Sequence, residues 1–283
     1  MQADWAERWP APAKLNLMLR IVGRKSDGYH LLQTVFQMLD FCDWIRFHPL
    51  AEGRVYLTQP LVGVAEQDDL TVRAAKLLKE YAGYRQGVAI EVEKHLPMGG
   101  GLGGGSSDAA TTLVVLNHLW RLNLPVDELM TLGLQLGADV PVFVYGYTSW
   151  GEGVGEKLQA ITVPEQWVVI IKPDCHVNTG QIFLSEGLTR DSKPIKMRDF
   201  LEGDCRNDCT AVVSLLYQPV KEALIALSKF SEARLTGTGA CVFAQFETEA
   251  AARSAYAELK SQWTVFLAKS LNRSPLYKKL EQG

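Results

Sequence analysis

Pro97-Met98-Gly99-Gly100-Gly101-Leu102-Gly103-Gly104-Gly105-Ser106-Ser107-Asp108-Ala109-Ala110 is the stretch whose reading decides the fold. Its glycines are followed directly by two hydroxyls and a carboxylate. Upstream, Val88-Ala89-Ile90-Glu91-Val92-Glu93-Lys94 alternates apolar and polar residues, the period of a strand. Downstream, from Ala109 to Trp120, apolar residues recur at spacings of three and four, which is helical. Ser106 or Ser107 suits the helix N-cap, because a hydroxyl there accepts from an orphan first-turn N–H. The unit is therefore strand, glycine loop, helix. Glycine lets the backbone take positive φ and approach a ligand, and a helix start presents unpaired N–H groups with partial positive charge. Such a unit suits phosphate.

Glycine-rich phosphate loops come in several types. Gly99-x-Gly101-x-x-Gly104 satisfies the dinucleotide pattern, but a run this dense in glycine can hardly avoid it. That pattern also needs a second parallel strand ending in an acidic residue, and here Pro125 to Leu136 reads as another helix. The Gly-Lys-Ser/Thr of a P-loop is absent, with no lysine between Pro97 and Trp120. So are the His-Arg-Asp and Asp-Phe-Gly of protein kinases. A flexible linker is seldom set between a strand and an apolar helix.

With 283 residues, 47% of them hydrophobic and 22% charged, the chain suffices for one large domain or two of ordinary size. No apolar run reaches the length of a membrane span, and Met1 to Arg8 lacks the charged-then-apolar order of a signal peptide. The five cysteines (Cys42, Cys175, Cys205, Cys209 and Cys241) are odd in number and show no Cys-x-x-Cys pair, which points to reduced thiols in the cytoplasm. A net charge of −3 leaves no global basic field for nucleic acid. Positive charge for a polyphosphate must be local, at Lys14, Arg24-Lys25 or Lys94-His95.

Taken in order, Pro12 to Ile21 alternates and predicts a strand that puts Lys14 and Asn16 on one face. Ser26-Asp27-Gly28 predicts a turn that delivers Tyr29 and His30 to an apolar strand, Leu31 to Leu39; Asp43 to Leu57 suggests a further strand pair. Gln67-Asp68-Asp69-Leu70 opens a helix over Thr71 to Ala82. A helix from Pro125 ends with Gly137 as its C-cap, and Asp139 then stands before an apolar strand, Val140 to Val144. A carboxylate there is costly without a partner, so Asp139 either caps the turn or pairs with a lysine in a cleft. Trp167 to Ile171 reads as a buried strand, residues 190 to 208 as polar and irregular, and Thr210 to Tyr217 and Val220 to Phe230 as helices. Arg234 to Ala244 reads as strand, small-residue turn, strand. A helix from Glu247 to Leu259 and a strand from Val265 to Lys269 follow.

Three separated stretches, Pro12-Ala13-Lys14-Leu15-Asn16, Pro97 to Ser107, and Leu235-Thr236-Gly237-Thr238-Gly239-Ala240, together resemble the superfamily of galactokinase, homoserine kinase, mevalonate kinase and phosphomevalonate kinase. With Asp27-Gly28-Tyr29-His30 and Gly137-Ala138-Asp139-Val140-Pro141 included, the chain looks like the branch that phosphorylates a cytidine diphosphate-linked methylerythritol in the non-mevalonate isoprenoid route. The resemblance spans nearly the whole chain. It implies an α+β protein of two domains: a ribosomal-S5-like β/α domain for ATP over residues 1–160, and a ferredoxin-like α/β sandwich for substrate over 161–283. ATP, with Mg²⁺, would lie on Pro97, Met98, Gly99, Gly100, Gly101, Leu102, Gly103, Gly104, Gly105, Ser106 and Ser107, with Lys94 as a further nucleotide contact. Lys14 and Asp139 would be the catalytic pair, with Asp139 either general base or electrostatic anchor. Cytosine would sit between Tyr29 and Phe183 and bond to His30, while Asn16 and Asp139 would hold the reacting end.

No side chain is assigned to the metal, and the resemblance implies a monomer or weak homodimer without nucleic-acid or membrane partners. Where relatives carry Asp-Asn-Leu, this chain has Asp68-Asp69-Leu70, and an aspartate cannot donate to adenine as an asparagine does. The rival readings are a mevalonate- or homoserine-type kinase, for which Tyr29, His30 and Phe183 have no use; a non-catalytic nucleotide-binding regulator, which needs no Lys14–Asp139 pair; and a dinucleotide oxidoreductase.

Overall fold

The alternation seen from Pro12 to Ile21 extends in both directions, and β1 runs from Arg8 to Arg24. It pairs antiparallel with β2, a 21-residue strand from His30 to Leu50. The two stretches expected as separate strands on either side of Asp40 are thus one. No glycine or proline interrupts Leu31 to His48, and exposed Asp40 instead accepts the backbone N–H of Lys269 through Oδ1 at 2.7 Å. The computed structural model describes residues 5–26, 28–61 and 63–282. Asp27 of the Ser-Asp-Gly turn and the first four residues lie outside the described residues.

Strand β3 (Val55–Leu57) lies parallel to β4 (Gly87–Glu93), and β4 lies antiparallel to β2. Four helices, α1 (Leu70–Tyr81), α2 (Gly104–Leu119), α3 (Val126–Leu136) and α4 (Val140–Tyr145), belong to the same half of the chain, which closes with the hairpin β5 (Ser149–Glu152) and β6 (Lys157–Ala160). Phe47, Ile90, Leu78, Leu113 and Phe143 share its core. Helix α2 is buried continuously from Ser107 to Leu116, which makes it the axis on which the other three rest.

Two expectations fail here. Val140 to Val144 is helical, with Pro141 in the first turn and every residue buried. A short segment apolar all round cannot be told from a buried strand by periodicity. Nor does Ser106 or Ser107 cap α2. Gly103 takes that position at φ 78°, in the left-handed region, so the helix begins before the serines. Gly137 does close α3, but at φ 172°, extended rather than left-handed.

The second half runs β7 (Trp167–Lys172), α5 (Thr179–Leu184), α6 (Met197–Leu201), α7 (Thr210–Leu216), α8 (Gln218–Leu227), β8 (Ala233–Leu235), β9 (Val242–Phe246), α9 (Glu249–Leu259), β10 (Thr264–Leu271) and α10 (Pro275–Leu280). Strand order β10-β7-β9-β8, all antiparallel, is the ferredoxin-like arrangement. The segment expected to be irregular contains α6. Side chains of β7 alternate between two layers. Val169 and Ile171 pack with Val213, Leu227 and Ala252 of the helices. Val168 and Ile170 pack with Leu15, Leu17 and Val35 of β1 and β2. Strand β10 also pairs with β2 at Ser270–Leu39 and Leu271–Met38, which joins both sheets into one path.

The small-residue turn between β8 and β9 docks on the glycine loop. Cys241 N–H donates to Gly100 O at 3.0 Å and Ala240 N–H to Gly99 O at 3.4 Å. Gly101 sits at φ +78°, where a Cβ would lie 2.4 Å from the Thr236 carbonyl oxygen. Gly101→Ala is therefore expected to destabilise the protein by about 1–3 kcal/mol from backbone strain alone, seen as a lower urea midpoint. A stability equal to wild type would show that the two loops separate freely.

Candidate active site

A cleft of about 960 Å³ opens between the glycine loop, the start of β2, the α3–α4 joint and the β8–β9 turn. Lys14 projects into it from β1, and its own backbone N–H is held by the Leu102 carbonyl of the glycine loop at 3.0 Å. The side chain is only 3% exposed, so its ammonium needs partners. It has three. Asp139 Oδ2 lies 3.2 Å away, Asn16 Oδ1 accepts at 2.6 Å, and the Phe36 ring stands 5.5 Å below. Asp139 occupies the N-cap position of α4 but makes no capping bond, so its half-exposed carboxylate is directed to the lysine. Of the two alternatives for Asp139, pairing in a cleft is the one observed.

Asn16 is fixed in turn. Its Nδ2 donates to Thr34 Oγ1 at 2.9 Å, that hydroxyl donates to the Met18 carbonyl at 2.7 Å, and the Asn16 N–H donates to Thr236 Oγ1 at 3.0 Å. This chain orients the amide so that its oxygen faces Lys14. The pair therefore has a fixed direction, with the carboxylate on the open side.

Tyr29, His30 and Phe183 line the other end of the cleft. His30 stacks on Phe183 with ring centroids 4.8 Å apart, and its Nε2 is buried with no partner. Desolvation, helped by Arg190 and Arg24, lowers the His30 pKa, which favours the neutral ring at pH 7. One face of Phe183 is thus taken by His30. Tyr29 is 65% exposed.

The glycine-loop residues divide. Gly99, Gly101 and Ser106 line the cleft. Gly100 packs between Cys241 and Pro97 instead: a Cβ there would lie 2.5 Å from the Cys241 Sγ and 3.7 Å from Pro97 Cγ. Leu102 is buried, and exposed Met98 stands at the rim of the loop. Gly103, Gly104 and Gly105 start α2, and the buried Ser107 Oγ has no partner. Lys94 is not in the cleft; its ammonium is bound to Asp43 and Asp108. Asp69 caps α1, accepting the N–H groups of Thr71 and Val72 at 2.8 and 3.1 Å, so its carboxylate already has partners.

Sequence reasoning missed His176, Asn178, Thr179 and Thr34, all of which line the cleft. His176 stands in an irregular loop without periodicity, and its ring is 3.0 Å from where a Cβ on Gly99 would be. Three of them touch residues the sequence marked: Thr34 bonds Asn16, His176 lies beside Gly99, and the Thr179 hydroxyl is 2.8 Å from that of Thr238. All five cysteines are free thiols. Among the described residues no single helix is long and apolar enough to cross a membrane.

Comparison with known proteins gives two family matches, GHMP kinases N terminal domain over residues 69–147 and GHMP kinases C terminal over 193–265. A 4-diphosphocytidyl-2-C-methyl-D-erythritol kinase of Nitrosococcus oceani is 53% identical over 274 residues, 97% of this chain and 98% of the relative. One of Methylococcus capsulatus is 54% identical over 276 residues, 97% of this chain and 95% of the relative. The crystal structure of a 4-(cytidine 5'-diphospho)-2C-methyl-D-erythritol kinase superposes with a TM-score of 0.81 at 30% identity, over 93% of this chain and 99% of that one.

Because folding lowers the His30 pKa, the unfolded chain binds the proton more tightly, and the stability carried by the neutral ring is lost as pH falls below the ordinary histidine value. Thermal unfolding from pH 7.5 to 5 should show wild type losing stability relative to His30→Gln. A constant difference across that range would contradict the neutral, desolvated ring.

Proposed function

The chain belongs to the GHMP kinase family, and we propose that it transfers the γ-phosphoryl group of ATP to the 2-hydroxyl of 4-diphosphocytidyl-2-C-methyl-D-erythritol. It is a phosphotransferase with an alcohol acceptor. The observation that carries the reading is the Lys14–Asp139 pair at 3.2 Å, facing a cleft floored by Gly99, Gly101 and Ser106. Phosphoryl transfer asks little covalent chemistry of a protein: it needs alignment, charge stabilisation and removal of the hydroxyl proton.

Each need has a candidate in this chain. Amides at the start of α2 would hold donor phosphates, as helix N-termini do. The orphan hydroxyl of Ser107 and the tight-packed glycines fit a phosphate cradle. Asp139 would accept the proton of the 2-hydroxyl, and Lys14, aligned through Asn16, would orient that carboxylate and stabilise the developing alkoxide. Mg²⁺ would neutralise the phosphate charge that otherwise repels the nucleophile. Among the described residues no cluster of three or more His, Cys, Asp or Glu side chains is built to hold a metal, so the ion fits as a companion of ATP.

For substrate choice, a cytosine would sit between Tyr29 and Phe183, which both line the cleft. The unpartnered Nε2 of a neutral His30 suits hydrogen bonding to its edge, which a small acid such as mevalonate does not offer. In this reading residues 1–160 carry ATP and 161–283 the substrate, although Tyr29, His30 and Asp139 belong to the first segment and close the cleft from that side. The five free thiols suit a reducing compartment, the cytoplasm, and the working unit is a monomer or weak homodimer.

The test is ADP release from Mg-ATP with the cytidylated methylerythritol, run beside mevalonate and homoserine. Turnover confined to the cytidylated substrate is expected. Turnover with another alcohol alone would discard the Tyr29–His30–Phe183 pocket, and tight ATP binding without turnover would leave a regulator. Asp139→Ala should lower kcat by about two to four decades, and a folded variant within tenfold of wild type would remove Asp139 from the chemistry.

A further inference from the structure

Beneath the start of α2 lies a buried ionic cluster that the cleft does not include. Asp43, on β2 and fully buried, accepts the backbone N–H groups of His95 and Leu96 through Oδ1, at 2.6 and 2.7 Å. Its other oxygen accepts from Lys94 Nζ. The same ammonium donates to Asp108 Oδ2 at 2.7 Å, and Asp108 belongs to the first turns of α2. A Cβ on Gly104 would lie 3.4 Å from Lys94 Nζ and 3.6 Å from Asp43 Oδ2, so the cluster sits directly under the helix start. His95 and Leu96 lead into the glycine loop, and Asp108 follows it. One ammonium therefore ties the two ends of the loop together.

Such a cluster is expensive to bury. Two carboxylates share one ammonium, and Asp108 Oδ1 is buried with no partner. Desolvation pushes the Asp108 carboxyl up to about 7 against the pull of Lys94, with Asp43 and Asp69 adding to the rise. Burial opposes the charge of Lys94, but Asp108 and Asp43 hold its pKa above the usual lysine value. Buried ion pairs add little net stability over apolar packing and are better at fixing one geometry. Here the geometry fixed is that of the loop.

We propose that Asp43, Lys94 and Asp108 form a clamp on both ends of the glycine loop, and that they are positioning residues for ATP rather than contacts to it. The inference rests on the kinase reading above. It differs from the direct contact that family resemblance suggests for Lys94: two of the three donors of this ammonium are already committed to carboxylates.

The experiment compares wild type with Asp108→Ala, Lys94→Met and the double variant in the full chain. It reads KM for Mg-ATP, KM for the cytidylated substrate, kcat, and amide hydrogen exchange of residues 95–105 without ligand. Each single variant should raise KM for ATP about tenfold and speed loop exchange, the scale of a coupled network. Both kcat and the other KM should stay within about threefold, the split expected when donor binding alone is disturbed. The double variant should cost no more than Lys94→Met, because both changes cut the same bridge. If Lys94 touches ATP directly, Asp108→Ala frees it and KM for ATP falls; a fall, or no change, overturns the clamp. So does a loss shared equally by kcat and both KM values. Should Lys94→Met fail to fold with two carboxylates left unpaired, Asp108→Ala still decides, since it keeps the Asp43–Lys94 pair. A wild type that neither turns over nor binds ATP refutes the kinase reading instead, and loop exchange then reports on the clamp by itself.

Discussion

An ammonium that is 3% exposed must be neutralised by something close, and much of this molecule is arranged to do that for Lys14. Strand β1 brings the lysine in, the joint between α3 and α4 brings Asp139, and a run of polar contacts from Met18 through Thr34 to Asn16 sets the remaining acceptor. The backbone of Lys14 is also bonded to Leu102, so the glycine loop and the charge pair share one anchor. Neither can shift without the other. In a phosphotransferase that coupling is useful, because donor and acceptor must be held on one line while only a proton and a phosphoryl group move.

Much of this arrangement was legible in the chain. The strand–loop–helix unit, the faces of Lys14 and Asn16, the helices flanking them and the turn at Thr236 to Ala240 all follow from local periodicity and glycine spacing. What escaped did so for physical reasons. The segment after Asp139 is apolar on every side because α4 is buried on every side, so period carries no information there. The cap of α2 was misplaced because a left-handed glycine does what a serine was expected to do. The single long strand β2 reads as two because its apolar run ends at Leu39, and the partner of the next residue, Asp40, is the Lys269 backbone far along the chain. His176 reaches the cleft through tertiary placement alone. Lys94 shows the same limit differently: resemblance marks it for the nucleotide, while its two carboxylate partners stand 51 and 14 residues away.

The glycine run also proves to be several devices in sequence. Gly99 and Gly101 line the cleft and receive the second-half turn against their backbone. Gly100 makes room for a cysteine, Gly103 turns the chain into α2, and Gly104 covers the ionic cluster. Density in glycine therefore reflects crowding by protein on several sides as much as approach by a ligand. That explains why motif patterns match it so readily and discriminate so poorly.

The two-residue splice between β10 and β2 has a mechanical meaning. Together with Val168 and Ile170 packed on Leu15, Leu17 and Val35, it welds the halves along a hydrogen-bonded seam and a shared apolar layer. Rotation of one half about the other would shear that layer, which close-packed side chains resist. The same weld makes the chain one thermodynamic body: cut between its halves, each fragment would present a bare apolar face and half of a site.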